Sequence, residues 1–171
     1  MRSRYRGLKQ MNPISPSNET IINYSLYDAI KYGFGKVVFV IRESFEEDFK
    51  KLFQSKLSGK IKVAYVTQKI DKAPENVSFN PERNKPWSTG HAILIAKDYI
   101  TEPFPVVNAD DFHGQYAFKT MTEFLTQTIT DKENCMIGYR LANSISETGS
   151  VFRGICSTDE SGNFSSIIER T

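Results

Sequence analysis

Two adjacent carboxylates, Asp110 and Asp111, directly follow the apolar run of residues 104–108, which has the composition of a β-strand. Mg2+ binds one or two carboxylates together with phosphate oxygens and water. Asn108 and Ala109 lead from the strand into the pair, so the carboxylates would be held rigidly. We therefore expect Asp110 to bind Mg2+. The alternative for an isolated pair of this kind is a solvated turn.

Positive charges are concentrated at the N-terminus, beside Gly7. The cationic residues there are Arg2, Arg4, Arg6 and Lys9. Arginine forks and the point charge of a lysine suit the non-bridging oxygens of a triphosphate. The cluster therefore indicates a phosphate-binding segment, and a solvated basic terminus without a ligand is the alternative.

The two histidines, His91 and His113, are candidates for acid–base groups or metal ligands. His91 falls in the first turn of a predicted helix, where a packed and hydrogen-bonded imidazole is the simpler interpretation. No Ser–His–Asp or Cys–His arrangement can be argued from the spacing, and no Walker-type glycine loop is present. The sequence therefore gives no sign of a covalent nucleophile.

Composition sets the broad class of the protein. With 171 residues, 39% hydrophobic and 25% charged, the chain has the size and balance of one globular domain. A net charge of +2 is too small to hold a nucleic-acid backbone. Cys135 and Cys156 belong to no metal-binding motif and predict buried thiols in a reducing compartment. The longest apolar stretch, residues 37–41, is too short to span a membrane, so we expect a cytoplasmic protein with no membrane partner.

Hydrophobic periodicity alternates between strand and helix along the first part of the chain, which is typical of βαβ units. Predicted helices run from Thr20 to Gly33, from a capping box at Ser44 and Glu47 to Gly59, and over residues 92–99 and 116–128. Predicted strands are 36–41, 61–66, 104–108, 136–141, 151–157 and 164–169, with a hairpin turn at 159–163. We expect the first three strands to be neighbours in one mostly parallel sheet.

Three groups of polar residues follow these predicted elements at positions where ligands bind in open α/β sheets. Gln68 follows strand 61–66, the turn of residues 87–91 opens a helix, and Asp110 follows strand 104–108. A long polar loop, residues 69–85, precedes the turn and predicts a functional segment.

The order of these motifs resembles the signature of the sugar-phosphate nucleotidyltransferases, the NDP-sugar pyrophosphorylase-like family. The matching pieces are Ser3-Arg4-Tyr5, Gly7-Leu8-Lys9-Gln10, Pro13, Asp28-Ala29-Ile30, residues 34–42, residues 86–92 and residues 108–112. The resemblance covers nearly the whole chain. It implies a single Rossmann-like, three-layer α/β nucleotidyltransferase domain over residues 1–171, with a mostly parallel central sheet.

The resemblance also implies a reaction and a set of residues. A sugar-1-phosphate oxygen attacks the α-phosphorus of an NTP in line, pyrophosphate leaves, and Mg2+ is the cofactor. Arg4 and Lys9 would contact the phosphates as the catalytic pair. The nucleotide side would be formed by Gln68, Ser88, Thr89, Gly90 and Asp110, with Asp110 holding the metal. The sugar side would be formed by Asn108, Asp111, Gly154 and Glu169.

This sequence departs from the family pattern at Arg2, Arg6 and Ser88, where glycine is usual. The pattern also places a strand and a glycine loop before Ser3 and a further metal carboxylate beyond Thr171. The resemblance therefore implies a chain truncated at both ends, with little or no pyrophosphate release. Two other classes stay open: a metal-dependent glycosyltransferase, which does not need the Arg4 and Lys9 pair, and a non-catalytic nucleotide-binding module. A homo-oligomer is also open.

Overall fold

A computed structural model describes residues 9–74, 77–80, 82–83, 85, 87–127, 130, 132–144, 149–150 and 152–170. The chain groups into two compact units, Met1–Glu133 and Asn134–Thr171. Among the described residues, the first unit contains four α-helices and a two-stranded parallel sheet, and the second contains a two-stranded antiparallel sheet. The fold is therefore mixed α/β, as predicted, but the described residues do not form a full Rossmann sheet.

The elements have the following bounds. The helices are α1 (Ile21–Lys31), α2 (Glu46–Leu57), α3 (Thr89–Ile95) and α4 (Gln115–Gln127). The strands are β1 (Lys36–Ile41), β2 (Lys62–Thr67), β3 (Arg153–Thr158) and β4 (Phe164–Arg170). Short 3-10 turns occupy Lys9–Met11, Glu43–Phe45, Lys97–Tyr99 and Leu141–Asn143. None of the described helices has the length and apolar character required to cross a membrane.

The boundaries of α1 are set by local hydrogen bonds, as the sequence predicts. The Asn23 side-chain oxygen accepts hydrogen bonds from the Thr20 N–H at 2.9 Å and from the Thr20 hydroxyl at 3.0 Å. At the other end, Gly33 has a φ of 90°, a left-handed conformation that glycine adopts without strain. The prediction of a helix beginning after Thr20 and ending at Gly33 is confirmed.

The predicted capping box at Ser44 is wrong. The N–H of Phe45 donates to the Arg42 carbonyl at 3.0 Å, so Ser44 already lies inside a 3-10 turn. An N-cap residue needs an extended backbone, which this turn does not provide. Helix α2 therefore begins at Glu46, where three acidic residues in its first turn favour the positive end of the helix dipole.

The core of the first unit lies between the parallel strands and their helices. Strands β1 and β2 pair in parallel, with Phe39 beside Tyr65. The Phe39 ring packs 5.0 Å from the Phe49 ring, which packs 4.5 Å from the Phe53 ring, measured between centroids. Large aromatic side chains dominate the burial that stabilises a core. The buried cluster consists of Ile22, Leu26, Phe39, Phe49, Phe53 and Leu57.

The predicted third strand, residues 104–108, is not formed. Pro103 and Pro105 lack backbone N–H groups, and a strand inside a sheet needs those donors. The apolar composition of this run favours a strand, but the two prolines prevent regular pairing. Of the three strands expected in one sheet, the first two are neighbours and the third is not part of it.

The second unit is a β-hairpin. β3 and β4 pair antiparallel, and the side chain of Asp159 accepts hydrogen bonds from the N–H groups of Ser161 and Asn163 at 3.0 and 2.8 Å. The predicted hairpin and its turn are confirmed. The predicted strand 136–141 is wrong, because this stretch has no strand partner among the described residues.

Both cysteines belong to the second unit, and both are free and exposed rather than buried. Nearly every described residue of β3 and β4 is exposed, so the hairpin has no core of its own in which a thiol can be buried. The prediction of buried thiols is therefore wrong for Cys135 and Cys156.

Candidate functional site

A cleft of about 1000 Å3 opens within the first unit, between β1 and the stretch of residues 102–109. Three residues predicted from distant parts of the sequence line this one cleft: Gln68, Thr89 and Asn108. A second depression of about 530 Å3, lined by Lys50, Leu57 and Tyr65 among others, contains none of the predicted residues. The larger cleft is therefore the candidate site.

Gln68 is held at the carboxyl end of the parallel sheet. Its N–H donates to the Ile41 carbonyl at 2.7 Å, just past the end of β2. Its side-chain nitrogen Nε2 lies 3.3 Å from the Trp87 carbonyl and 3.4 Å from the Ser88 carbonyl. Within the described part of the chain, no hydrogen bond is made to its oxygen Oε1. The side chain is thus anchored through its nitrogen, and Gln68 is one of the residues that line the cleft.

His91 is part of the same network, and its hydrogen bonds define its tautomer. Its Nε2 lies 2.6 Å from the Lys72 carbonyl oxygen, which can only accept, so Nε2 carries the hydrogen. Its Nδ1, 3.2 Å from Gln68 Nε2, is then the acceptor. Because His91 is only 8% exposed and both ring nitrogens are engaged, the simpler interpretation of a packed imidazole is confirmed.

Trp87 anchors the long polar loop to this turn, a role that the sequence analysis missed. Its Nε1 donates to the Ile70 carbonyl at 2.8 Å. The Arg83 guanidinium lies 4.2 Å from the centroid of its ring, and the Phe79 ring meets it edge-on at 5.7 Å. As the single tryptophan of the chain, it was a recognisable signal of an aromatic anchor.

The turn that opens α3 presents exposed residues. Ser88, Thr89 and Gly90 are all exposed, and the Ser88 carbonyl accepts a hydrogen bond from the Ala92 N–H at 3.2 Å. A Cβ placed on Gly90 would meet only Ser88 Oγ, at 3.9 Å. The space above the Gly90 main chain is therefore open, and Ser88 does not fill it.

Asp110 and Asp111 lie in an exposed turn beyond the extended stretch. The Asn108 side-chain nitrogen donates to Asp111 Oδ2 at 3.0 Å, and His113 Nε2 lies 3.2 Å from the Asn108 carbonyl. The described residues contain no cluster of three or more His, Cys, Asp or Glu side chains that could hold a metal. The lining of the cleft reaches Asn108 and Ala109 but includes neither Asp110 nor Asp111, and the role of Asp110 toward Mg2+ stays a prediction.

Of the predicted catalytic pair, Arg4 and Lys9, the structure describes only the main chain of Lys9. Arg4 lies outside the described residues, and so does the side chain of Lys9. The main chain of Lys9 begins the 3-10 turn Lys9–Met11, and the next residue, Gln10, lines the cleft. The roles of Arg4 and Lys9 stay predictions.

Gly154 and Glu169, expected on the sugar side, are directly opposite each other in the hairpin of the second unit. A Cβ on Gly154 would lie 2.6 Å from the Cδ1 atom at the end of the exposed Ile167 side chain, which would have to shift. The roles of both residues toward a sugar also stay predictions.

No protein-family model matches the chain, and no curated protein is significantly similar to it. The resemblance to the sugar-phosphate nucleotidyltransferases therefore depends on the order of the sequence motifs. The structure adds one independent observation: Gln68, Thr89 and Asn108 line the same cleft.

Proposed function

We propose that this chain binds a nucleoside triphosphate with Mg2+ in the cleft and is the nucleotide-binding part of a sugar-phosphate nucleotidyltransferase. The observation that carries the proposal is the convergence of Gln68, Thr89 and Asn108 on one cleft. Gln68 directly follows a strand of the parallel pair, and ligands of open α/β sheets bind beyond such strand ends.

Base recognition would depend on Gln68 and the α3 turn. The free Oε1 of Gln68 is an acceptor for an N–H of the base, while the Thr89 hydroxyl can donate or accept. The open main chain at Gly90 leaves room for a planar ring to approach. Because Nε2 of Gln68 is occupied by the turn, the amide orientation is fixed before a ligand arrives. Such preorganisation lowers the entropy cost of binding.

The chemistry would be transfer of a nucleoside monophosphate. A phosphate oxygen of the sugar-1-phosphate forms a bond to the α-phosphorus, the bond from that phosphorus to the bridging oxygen breaks, and pyrophosphate leaves. Positioning and charge neutralisation suffice for such a step. Mg2+ held by Asp110 would neutralise phosphate charge, and Arg4 and Lys9 would hold the phosphate oxygens.

The fold proposal follows from the same resemblance. We propose that β1 and β2 belong to a three-layer, Rossmann-like sheet that is larger than the two strands described. The parallel pairing of β1 with β2 supports this proposal, because isolated parallel pairs are rare and parallel sheets are normally covered by helices on both faces.

The test is whether the full chain binds ATP, GTP, CTP, UTP or dTTP. Each nucleotide is added with and without Mg2+, and binding is measured as a change in the thermal unfolding of the chain. A ligand present at about 100 times its Kd stabilises the native state by roughly 2.7 kcal/mol, so a specific triphosphate is expected to raise Tm in the presence of Mg2+. Thr89→Val, which keeps the shape and removes the hydroxyl, is expected to weaken that binding. No shift with any triphosphate would refute the proposal.

A second assay separates the classes of enzyme. Pyrophosphate release from the bound triphosphate and a panel of sugar-1-phosphates would support the transferase reaction. Binding of a triphosphate without release is expected both from the nucleotide-binding part of a transferase and from a non-catalytic nucleotide-binding module. Binding of diphosphate sugars but not of triphosphates would favour a glycosyltransferase, because such an enzyme uses only the diphosphate sugar.

A further inference from the structure

The side-chain nitrogen of Gln68 has more acceptors around it than hydrogens to donate. The Trp87 carbonyl lies 3.3 Å from Nε2, the Ser88 carbonyl 3.4 Å and Nδ1 of His91 3.2 Å. An amide nitrogen carries two hydrogens, so it cannot donate a full hydrogen bond to all three acceptors at once. All three distances also exceed the usual value of about 2.9–3.0 Å for an N–H donor. The orientation of the amide is therefore held by three long contacts.

The contact with His91 depends on the charge of the imidazole. The neutral ring accepts at Nδ1 because its hydrogen is on Nε2, which is bonded to the Lys72 carbonyl at 2.6 Å. A protonated ring carries a hydrogen on each nitrogen and can accept at neither. Protonation would therefore set an N–H of His91 against the –NH2 group of Gln68, and both groups are donors. The Lys72 carbonyl is a suitable partner in both charge states.

A half-turn of the Gln68 amide about its last side-chain bond removes this conflict. Oε1 then takes the place of Nε2 and accepts from Nδ1, and a hydrogen bond from a charged donor is roughly twice as strong as a neutral one. The cost is that Nε2 leaves the Trp87 and Ser88 carbonyls, and Oε1 faces them instead. The rotation itself is easy, because the terminal torsion of a glutamine is broad and nearly two-fold.

Two segments pack against the His91 ring. The segment after β2 contacts it through the Lys72 carbonyl, and the Trp87 ring centroid lies 5.7 Å from that of the imidazole. An aromatic ring favours a nearby cation, whereas the Arg83 guanidinium, 4.2 Å from the same indole, opposes a second positive charge. No ion pair joins His91 to any described residue, and its own helix α3 contains no charged residue. The charged residues described on the two segments are Lys69, Asp71, Lys72, Glu82, Arg83 and Lys85.

We propose that His91 is a pH-dependent positioning residue, whose protonation reverses the Gln68 amide and changes which edge of a nucleobase the cleft accepts. With neutral His91, the end of the amide turned away from the ring is an oxygen, which pairs with the ring N–H of uracil, thymine or guanine. With protonated His91, that end is an –NH2 group, which pairs with the ring nitrogen acceptor of cytosine or adenine. The change in base selectivity rests on the nucleotide site proposed above, whereas the reversal of the amide does not.

The reversal is tested by NMR on the ligand-free full chain, labelled with nitrogen-15, from about pH 8 to pH 5, where imidazole ordinarily gains a proton. The nitrogen shifts of the His91 ring report its tautomer and its protonation. We expect the –NH2 signals of Gln68 to move with the same midpoint as the ring. We also expect these protons to lose their NOE contacts to Trp87 and Ser88 as His91 becomes protonated.

His91→Asn is the variant that cannot titrate, because its side-chain oxygen replaces Nδ1 as an acceptor and takes up no proton in this range. We expect its Gln68 signals to be independent of pH. His113→Gln replaces the other histidine of the chain and is the matched control. We expect Gln68 to titrate in this control as it does in the unsubstituted chain. If His91→Asn does not fold, the unsubstituted chain and His113→Gln still decide the result.

Base selectivity is measured as the Kd for CTP divided by the Kd for UTP, with Mg2+, at about pH 8 and about pH 5.5. Both nucleotides carry the same phosphates, so the ratio removes the effect of pH on phosphate charge. An unpaired donor or acceptor in a binding site lowers affinity by about tenfold or more, so we expect the ratio to fall at least about tenfold at the lower pH. In His91→Asn, we expect the ratio to stay the same.

Three results would overturn the proposal. The first is a His91 ring that gains its proton while the Gln68 signals and their NOE contacts stay unchanged. The second is a ring that stays neutral across the whole pH range. The third is a ratio of CTP to UTP affinity that stays constant although the amide reverses. Reversal of the amide with no triphosphate bound at either pH would instead refute the nucleotide site, and with it the change in selectivity.

Discussion

The side-chain nitrogen Nε2 of Gln68 lies 3.2 Å from Nδ1 of His91, and this contact joins the end of β2 to the first turn of α3. His91 is in turn bonded to the Lys72 carbonyl at 2.6 Å, so three segments meet at one imidazole. Because Nδ1 must accept, Gln68 presents its nitrogen, and not its oxygen, to His91. This hydrogen bond fixes the orientation of the Gln68 amide.

Gln68→Ala is expected to destabilise the first unit, because the turn at Trp87 and Ser88 loses its side-chain donor and His91 loses its partner. Hydrogen bonds of this kind contribute about 1 kcal/mol each, so we expect the free energy of unfolding to fall by roughly 1–2 kcal/mol. Urea denaturation measures the change. Gln54→Ala, at an exposed position of α2, is the matched control and is expected to change stability by less than about 0.5 kcal/mol. Equal effects of the two substitutions would contradict the anchoring role of Gln68.

Gly90→Ala separates a binding role from a structural one. The added methyl meets only Ser88 Oγ at 3.9 Å, and alanine favours a helix over glycine by about 1 kcal/mol, so stability is expected to stay the same or rise. If a base lies against the Gly90 main chain, the same methyl fills the required space and the affinity for the triphosphate falls at least tenfold. Gly138→Ala, where an added Cβ meets nothing within 4 Å, is the control. An unchanged Kd for Gly90→Ala would show that the base lies elsewhere.

Asp110→Ala is expected to abolish the Mg2+ dependence of triphosphate binding without changing Tm in the absence of ligand. Its side chain is exposed, so it contributes little to packing, and a single carboxylate is the expected contact of the nucleotide-bound metal. Titration calorimetry with and without Mg2+ measures the effect. Asp98→Ala, another exposed carboxylate in the first unit, is expected to keep the Mg2+ dependence. Dependence that persists in Asp110→Ala would place the metal elsewhere.

Asp28→Asn is expected to stabilise the chain at neutral pH. Burial raises the pKa of the Asp28 carboxyl above its ordinary value of 3.8, although the nearby Lys31 charge opposes the shift. A carboxyl with a raised pKa in the folded state binds its proton more tightly there. The free energy of unfolding therefore falls as pH rises from the ordinary pKa through the raised one, and it stays lower above that range.

The stability gain of Asp28→Asn is thus expected to be larger at pH 7 than at pH 3. Asp28 also lies near the C-terminal end of α1, where a negative charge opposes the helix dipole by roughly 0.5–1 kcal/mol. Asp48→Asn, in the first turn of α2, is expected to have the opposite sign at pH 7 because a negative charge favours that end. Thermal unfolding across the pH range measures both variants. A gain for Asp28→Asn that does not depend on pH would contradict the burial effect.

The sequence by itself determined the elements whose signals are local. The cap of α1 at Thr20, its end at Gly33 and the turn at Asp159 are all formed by residues within a few positions of one another. The strand β1 followed from a continuous run of apolar, mainly β-branched residues, and β2 is shifted by one residue from its predicted bounds of 61–66.

The tertiary structure decided the outcomes that depend on partners distant in the chain. The run 104–108 has the composition of a strand, but pairing needs donors that Pro103 and Pro105 lack, and among the described residues β1 pairs only with β2. Cys156 has the apolar character of a buried residue, but the described strands of the second unit form no core around it. Which atom of the Gln68 amide meets His91 was settled by the tautomer of His91, because a hydrogen bond fixes direction only when both partners are in place.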